Sequence, residues 1–230
     1  MIQAISRWVS VALLLCLPAC ARDETMFQSD FDATPAGQPP AQAQKVGTVA
    51  IDAPAPNSVL VVDPPVTPSG RWVKVERLPQ PASASLQANL TASRGEGRYV
   101  FTSTMFMPSG TGIVTIQFER FQQPVGLPEA FLHLDFMPQN DVRIDDQEGS
   151  RFGSFERNKP FIVQVELNIG LTSSSAHIAL AGAAGKGEAD RTIPGPVNIL
   201  ARQFGAVRLW VSFPHVGHFN ATNIVVIRKG

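Results

Sequence analysis

Three carboxylates, a histidine, an arginine and a tryptophan recur at alternate positions in four apolar-patterned stretches. A β-strand sends successive side chains to opposite faces, so this alternation separates a core face from a face able to do chemistry. In 113–121, Val114, Ile116 and Phe118 share one face, and Thr115, Gln117 and Glu119 the other. In 130–137, Leu132, Leu134 and Phe136 oppose Phe131, His133 and Asp135. In 161–170, Val163, Val165, Leu167 and Ile169 oppose Gln164, Glu166 and Asn168. In 207–213, Val207, Leu209, Val211 and Phe213 oppose Arg208, Trp210 and Ser212. Amides, carboxylates and a guanidinium exchange paired hydrogen bonds with hydroxyls, and an indole offers a flat apolar surface. A few convergent polar groups beside an apolar wall make a ligand site, and here the chemistry suits a sugar. Gln117, Glu119, His133, Asp135, Gln164, Glu166, Asn168, Arg208 and Trp210 are therefore the candidate glycan-binding residues. The same pattern also describes the plain solvated face of a half-buried sheet.

Bond cleavage asks for more. Hydrolysis of a glycosidic bond takes two carboxylates, about 5–5.5 Å apart for retention or about 6.5–9.5 Å for inversion. Glu119, Asp135 and Glu166 are the candidates. Eliminative cleavage needs a base beside a charge-neutralising group; His133 and Arg208 have those chemistries, and Tyr99 is the single tyrosine. Spacing alone brings none of them together, so no catalytic residue is assigned. Asp141 and the run from Asp145 to Gly149 offer hard oxygen ligands without the spacing of an EF-hand loop. His133 and Asp135 lack an evident third ligand. His215 and His218 flank a Pro214/Gly217 turn. The glycine-rich stretch 181–187 lacks phosphate-loop spacing and reads as a flexible loop. No Gly-x-Ser-x-Gly elbow occurs. No metal or cofactor is expected.

The elements that must position these residues are strands. With 19 prolines and 18 glycines in 230 residues, turns and edges are frequent. Val46 to Ile51, Ser58 to Val62, Trp72 to Glu76, 97–107, Ala176 to Ala181 and Thr222 to Arg228 join the four stretches above. The alternation over 97–107, the turn 108–112 and the strand at 113–121 predict a β-hairpin. Residues 83–92 alternate loosely, and 83–91 is the nearest candidate for a short helix. No sustained 3.6-residue apolar period occurs elsewhere. Many short strands punctuated by turns predict an all-β, two-sheet antiparallel sandwich.

The order of these pieces resembles the concanavalin A-like (laminin G-like) jelly rolls. The resemblance rests on Ser29 to Pro40, on Val49 to Pro54 with Val59 to Val62, and on Phe161 to Leu167 followed by Ala176 to Gly182. It rests also on a closing pair, Val207 to Phe213 and Phe219 to Ile227. It implies a jelly-roll sandwich with glycan on one sheet, in a fold that hosts binders, enzymes and scaffolds. The compact Glu-x-Asp-x-x-Glu or Glu-x-Asp-x-Glu strand motif of related glucanases is absent.

The start of the chain has its own chemistry. A short lead with Arg7, the apolar run Trp8 to Leu17, and small residues after it describe a secretory signal. The run is too short to span a bilayer as a helix. Leu17-Pro18-Ala19-Cys20 resembles the lipobox of bacterial lipoproteins, with Pro18 an unusual second residue. The chain has two cysteines, and Cys16 lies inside the apolar run. Cleavage after residue 19 leaves Cys20 as the lone thiol, ready for lipidation; acyl chains anchor by about 0.8 kcal/mol per buried methylene. The expected organisation is a signal peptide over 1–19, a lipidated N-terminus with a Pro-rich tether or lead-in segment over 20–44, and the sandwich over 45–230. Met26 to Phe31 within the lead-in can pair as an edge strand. Ala21 after the cysteine implies outer-membrane sorting in a two-membrane cell. Nineteen basic and 19 acidic residues balance to a net charge of +0, which argues against a nucleic-acid partner. The expected function is an envelope-anchored lipoprotein binding a glycan or another envelope component without catalysis. The alternatives are a glycan-cleaving enzyme and a structural or assembly lipoprotein with a protein partner.

Overall fold

The structure, a computed structural model, describes residues 22–53, 55–66, 70–79, 84–120, 130–145, 149–193 and 203–230. The signal segment 1–19 and Cys20 lie outside the described residues. The strands are, in chain order, β1 Glu24–Ser29, β2 Thr48–Asp52, β3 Val59–Val62, β4 Trp72–Arg77, β5 Ser85–Arg94, β6 Gly97–Phe106, β7 Val114–Glu119, β8 Ala130–Phe136, β9 Asp141–Ile144, β10 Gly153–Phe155, β11 Pro160–Ile169, β12 Ser174–Ala181, β13 Gly185–Ile193, β14 Phe204–Val211 and β15 Gly217–Lys229. Their hydrogen bonds form one path, β2-β5-β14-β7-β8-β9-β10-β13-β12-β11-β6-β15-β4-β3, with β1 added on β15. The pairings within it are antiparallel. The path doubles over through β9 and β10, so that β14, β7 and β8 face β6 and β11 across the core. Rings bridge the two layers: Phe101 of β6 meets Phe118 of β7 at 5.3 Å, edge to face. Tyr99 meets Phe204 at 5.4 Å, and Phe136 meets Phe161 at 5.7 Å. The fold is the all-β antiparallel sandwich that the alternation predicts. The inward residues of the four patterned stretches, such as Ile116, Leu134, Val165 and Leu209, are fully buried. Each contributes roughly 1.5–3 kcal/mol of transfer free energy.

The lead-in segment is built into the sandwich over much of its length. β1 runs along β15 from Glu24↔Arg228 to Ser29↔Ile224, and Met26 and Phe27 are fully buried. The sandwich therefore begins near residue 24, not 45. Beyond β1 the chain is stapled by backbone bonds. Val61 donates to the Gln38 carbonyl at 2.8 Å, and Val49 to the Gln42 carbonyl at 2.7 Å. Gly47 makes the crossing between them. Its φ of +77° is open to glycine, and a Cβ there would stand 2.5 Å from the Asn89 carbonyl oxygen.

Several expected pairings differ. β6 and β7 do not form a hairpin: β6 pairs with β11 and β15, and β7 with β14 and β8. The apolar faces of both strands must be buried, and placing them in opposite layers lets Phe101 and Phe118 pack directly. For the same reason the closing stretches, β14 and β15, lie in different layers. Residues 85–94 form a strand rather than a helix. Residues 181–187 are the end of β12, a tight turn and the start of β13, not a loop. β13 carries almost no apolar residue and alternates half-buried with exposed side chains, so it lacks the usual signal of a strand. β11 and β12 pair in register from Ile162↔Ala181 to Ile169↔Ser174, the adjacency that the jelly-roll resemblance implies.

Candidate functional site

The outward face of the layer β2, β5, β14, β7 and β8 gathers polar residues into cross-strand rows. One row runs Ala50–Gln87–Arg208–Gln117–His133. The next runs Asp52–Ser85–Trp210–Thr115–Asp135 and continues to Arg143 of β9. A third holds Thr48, Asn89, Ala206 and Glu119. At about 4.8 Å per strand, Gln87 to His133 spans roughly 14 Å. Alternation puts Gln117, Glu119, His133, Asp135, Arg208 and Trp210 each on the outward side of its own strand, and the register of β7, β8 and β14 brings these six onto one sheet face.

This face is shielded. Strand β7 is buried on both sides: Glu119 is 1% exposed and Gln117 7%, although both point away from the core. Thr115, Asp135, Ser85 and Gln87 are likewise buried. Some of these groups satisfy one another. Thr115 Oγ1 donates to Asp135 Oδ1 at 2.6 Å and lies against the Ser212 hydroxyl. Arg208 Nη2 donates to Gln87 Oε1 at 2.8 Å, and Gln87 Nε2 to Asn89 Oδ1 at 2.7 Å. Others are left open. Glu119 Oε1 stands 3.1 Å from Arg208 Nε, but the pair lacks hydrogen-bond alignment. Neither Glu119 oxygen, nor Arg208 Nε, nor Trp210 Nε1 has a hydrogen-bond partner among the described residues. Burial pushes the Glu119 carboxyl up to about 7, against the opposing pull of the Arg208 guanidinium. Glu119 thus exchanges a proton near neutrality.

The remaining candidates are elsewhere. Gln164, Glu166 and Asn168 lie on β11 in the other layer, and they face outward from the opposite side of the sandwich. Alternation within a strand reports which residues share a face, but not which faces share a sheet. Glu166 is held there by Arg98 at 2.6 Å, and Arg98 keeps its carboxyl below the usual range. Asn168 lines a separate polar hollow with Ser173, Ser174, Ser175 and Thr192. Nine residues therefore do not form one site. The carboxylates do not form a hydrolytic pair either. Asp135 is opposite Thr115, four residues from Glu119 along β7, or about 13 Å. That exceeds both catalytic spacings. Tyr99 is buried in the core, its hydroxyl donating to the Gly95 carbonyl at 2.7 Å. His133 and Arg208, by contrast, flank Gln117 on either side.

Residues Gln87 and Asn89 belong to the site although no site reading singled them out. Their signal is plain in retrospect: Leu86, Ala88 and Leu90 alternate with Gln87, Asn89 and Thr91. Phe131 departs from the expected outward face. A register irregularity between Phe118 and Glu119 turns its ring against Phe204, 5.9 Å away. Of the oxygen-rich residues near β9, Asp146, Gln147 and Glu148 lie outside the described residues, and Asp141 pairs with Arg143 at 3.3 Å. Asp145 accepts from the His133 backbone N–H at 3.0 Å and from Arg191 at 3.1 Å. Among the described residues, no group of three or more His, Cys, Asp or Glu side chains is placed to hold a metal ion.

Several solved β-sandwich structures superpose on this chain. The catalytic domain of a GH131 β-glucanase from Podospora anserina superposes with a TM-score of 0.54 at 10% identity, over 88% of this chain and 95% of that one. The glycoside hydrolase family 131 catalytic domain from Coprinopsis cinerea gives 0.52 at 13% identity, over 90% and 94%. Alginate lyase A1-II', of polysaccharide lyase family 7, gives 0.50 at 10% identity, over 76% and 85%. The fold is an all-β antiparallel jelly roll. At these identities the likeness is one of fold. No protein-family model matches the chain, and no curated protein matches it.

Proposed function

We propose that this chain is an envelope-anchored lipoprotein that binds a glycan through the shielded face of β5, β14, β7 and β8. One observation carries the reading: a sheet face pointing away from the core is largely buried, yet Trp210 Nε1, Arg208 Nε and both Glu119 oxygens have no hydrogen-bond partner among the described residues. Unpaired buried polar groups cost roughly 1–3 kcal/mol each, and a bound ligand rich in hydroxyls satisfies them. Trp210 adds an apolar surface for a sugar ring. The fold's polysaccharide-acting relatives support the same class of ligand. The test is a screen of the protein against glycan arrays and cell-wall fractions, followed by Trp210→Ala. Losing that ring contact, worth about 1.5–3 kcal/mol, weakens binding roughly 10- to 100-fold. Glu166→Gln, on the far sheet, leaves it unchanged. Absence of binding across the screen sinks the reading, as does equal sensitivity to both substitutions.

Glycan cleavage is a second reading, favoured by one feature: Glu119 carries a proton near pH 7, beside Arg208 and diagonal to His133. Perturbed carboxyls gather at functional sites. It predicts release of shortened or unsaturated oligosaccharide and loss of that release in Glu119→Gln.

The anchor rests on the leader. Signal cleavage before Cys20 and its lipidation place the sandwich at the outer membrane, with β1 starting only four residues after the lipid. Cys20→Ser shifts the protein from the membrane to the soluble envelope fraction; continued membrane retention of that variant refutes the lipid anchor.

A further inference from the structure

The opposite sheet carries a second hollow with a different chemistry. It lies on the outward side of β4, β15, β6 and β11 and encloses about 220 Å³. Thr104 of β6 sits at its centre, paired with Thr222 of β15 on one side and Ile162 of β11 on the other. Trp72, the first residue of β4, forms a wall. Trp72 is 3% exposed, and its Nε1 has no hydrogen-bond partner among the described residues. Ile162 is 40% exposed, an apolar side chain at an outward position of β11, whose other outward residues include Gln164 and Glu166.

The hollow is opened by an irregularity in β15. Thr222 pairs with Thr104, but the next partner of β6 is Val225, opposite Thr102. Bulges re-aim side chains and recur beside binding sites. Here Ile224 turns into the core, fully buried, while Asn223 adopts a left-handed φ of 49° and lines the hollow. Asparagine tolerates that conformation better than most residues. The Thr222 hydroxyl is committed to the Arg71 carbonyl at 2.8 Å, which leaves its oxygen free to accept.

We propose that this hollow is a second, separate binding site, for a single neutral sugar ring. The lining combines an indole N–H donor, threonine hydroxyls and an amide with apolar surface from Trp72 and Ile162. No charged side chain lines it among the described residues. A charged ligand finds no counter-ion there, unlike on the face that holds Glu119, Arg208 and His133. The volume is below the roughly 300–1,000 Å³ of drug-sized sites, which limits the occupant to one ring, such as the end of a chain. The two sites lie on opposite sides of the sandwich, so their ligands do not compete.

Signal cleavage removes Trp8 and leaves Trp72 and Trp210, so the experiment follows two indole N–H resonances by NMR, assigned by replacing each tryptophan with phenylalanine. The protein is titrated with glucose, galactose, mannose and N-acetylglucosamine, and with glucuronate as the charged comparison. The expected result is a saturable shift of the Trp72 resonance with at least one neutral sugar and none with glucuronate. The shift persists in Trp210→Ala, which separates it from the site of the proposed function. Ile162→Asp, at an exposed position, weakens it at least tenfold, and Thr104→Val weakens it in a background of unchanged remaining resonances. The proposal is overturned if no neutral sugar moves the Trp72 resonance, if glucuronate alone does, or if the shift is lost in Trp210→Ala and kept in both hollow variants.

Discussion

Replacing Glu119 by glutamine tests the central electrostatic feature of the shielded face. Glu119 is 1% exposed, and its carboxyl titrates at about 7 in the fold against an ordinary 4.5. Burial raises it, and Arg208 at 3.1 Å only partly opposes this. Below pH 4.5 the group is protonated in both folded and unfolded chains and contributes no pH dependence. Between 4.5 and 7 the unfolded chain has released its proton while the folded chain retains it, so stability falls as pH rises. Above 7 both forms are ionised and the loss is complete. At about 1.4 kcal/mol per pH unit, the loss amounts to roughly 3 kcal/mol. Glutamine has the same shape and no titration. All other groups titrate alike in the two proteins, so the difference between them isolates Glu119. Urea unfolding of wild type and Glu119→Gln, at intervals from pH 4 to pH 8, is the assay. The variant gains on wild type by about 3 kcal/mol across that range, or roughly 6–12 °C in Tm for a domain of this size. Parallel profiles refute the reasoning and show that the carboxyl is solvated or fully paired. A gain in stability paired with weaker glycan binding marks Glu119 as retained for function at a cost to the fold.

Further outcomes follow from other contacts. Arg157 ties three loops together: Nε donates to Asn140 Oδ1 at 2.8 Å, and the two terminal nitrogens to the Pro108 and Met137 carbonyls at 2.8 and 3.2 Å. Arg157→Ala leaves those acceptors partly buried and lowers stability by about 3 kcal/mol, read by urea unfolding; a loss below about 0.5 kcal/mol contradicts that role. Trp210→Ala weakens glycan binding while Glu166→Gln does not, measured by calorimetry with the ligand found in the screen. Cys20→Ser moves the protein out of the membrane fraction.

Much of the sandwich was legible because its core signal is local. Leu132, Leu134 and Phe136, or Val163, Val165 and Leu167, declare an inward face within a single strand, since the side-chain period is two. The pairing of β11 with β12 was readable only through the resemblance to jelly rolls, which sets those two runs side by side. β13 was not legible, because Gly185 to Ile193 has few apolar groups and is held by its pairing with β12 and β10. The β6–β7 hairpin was misread because a short glycine-containing turn fits both a hairpin and an arch between layers. Only the apolar contact of Phe101 with Phe118 decides between them.

The candidate site divides along the same line. Residue types and alternation determined by themselves that Gln117, Glu119, His133, Asp135, Arg208 and Trp210 leave the core, and likewise Gln164, Glu166 and Asn168. That is a property of each strand alone. Which strands are neighbours depends on partners far apart in the chain, as in Arg208 with Gln87, 121 residues away, and no local pattern encodes that. The tertiary structure alone put the first six on one shielded face, added Gln87 and Asn89, and sent β11 to the far side. It also raised the Glu119 carboxyl, because desolvation exists only once the chain has closed around the group.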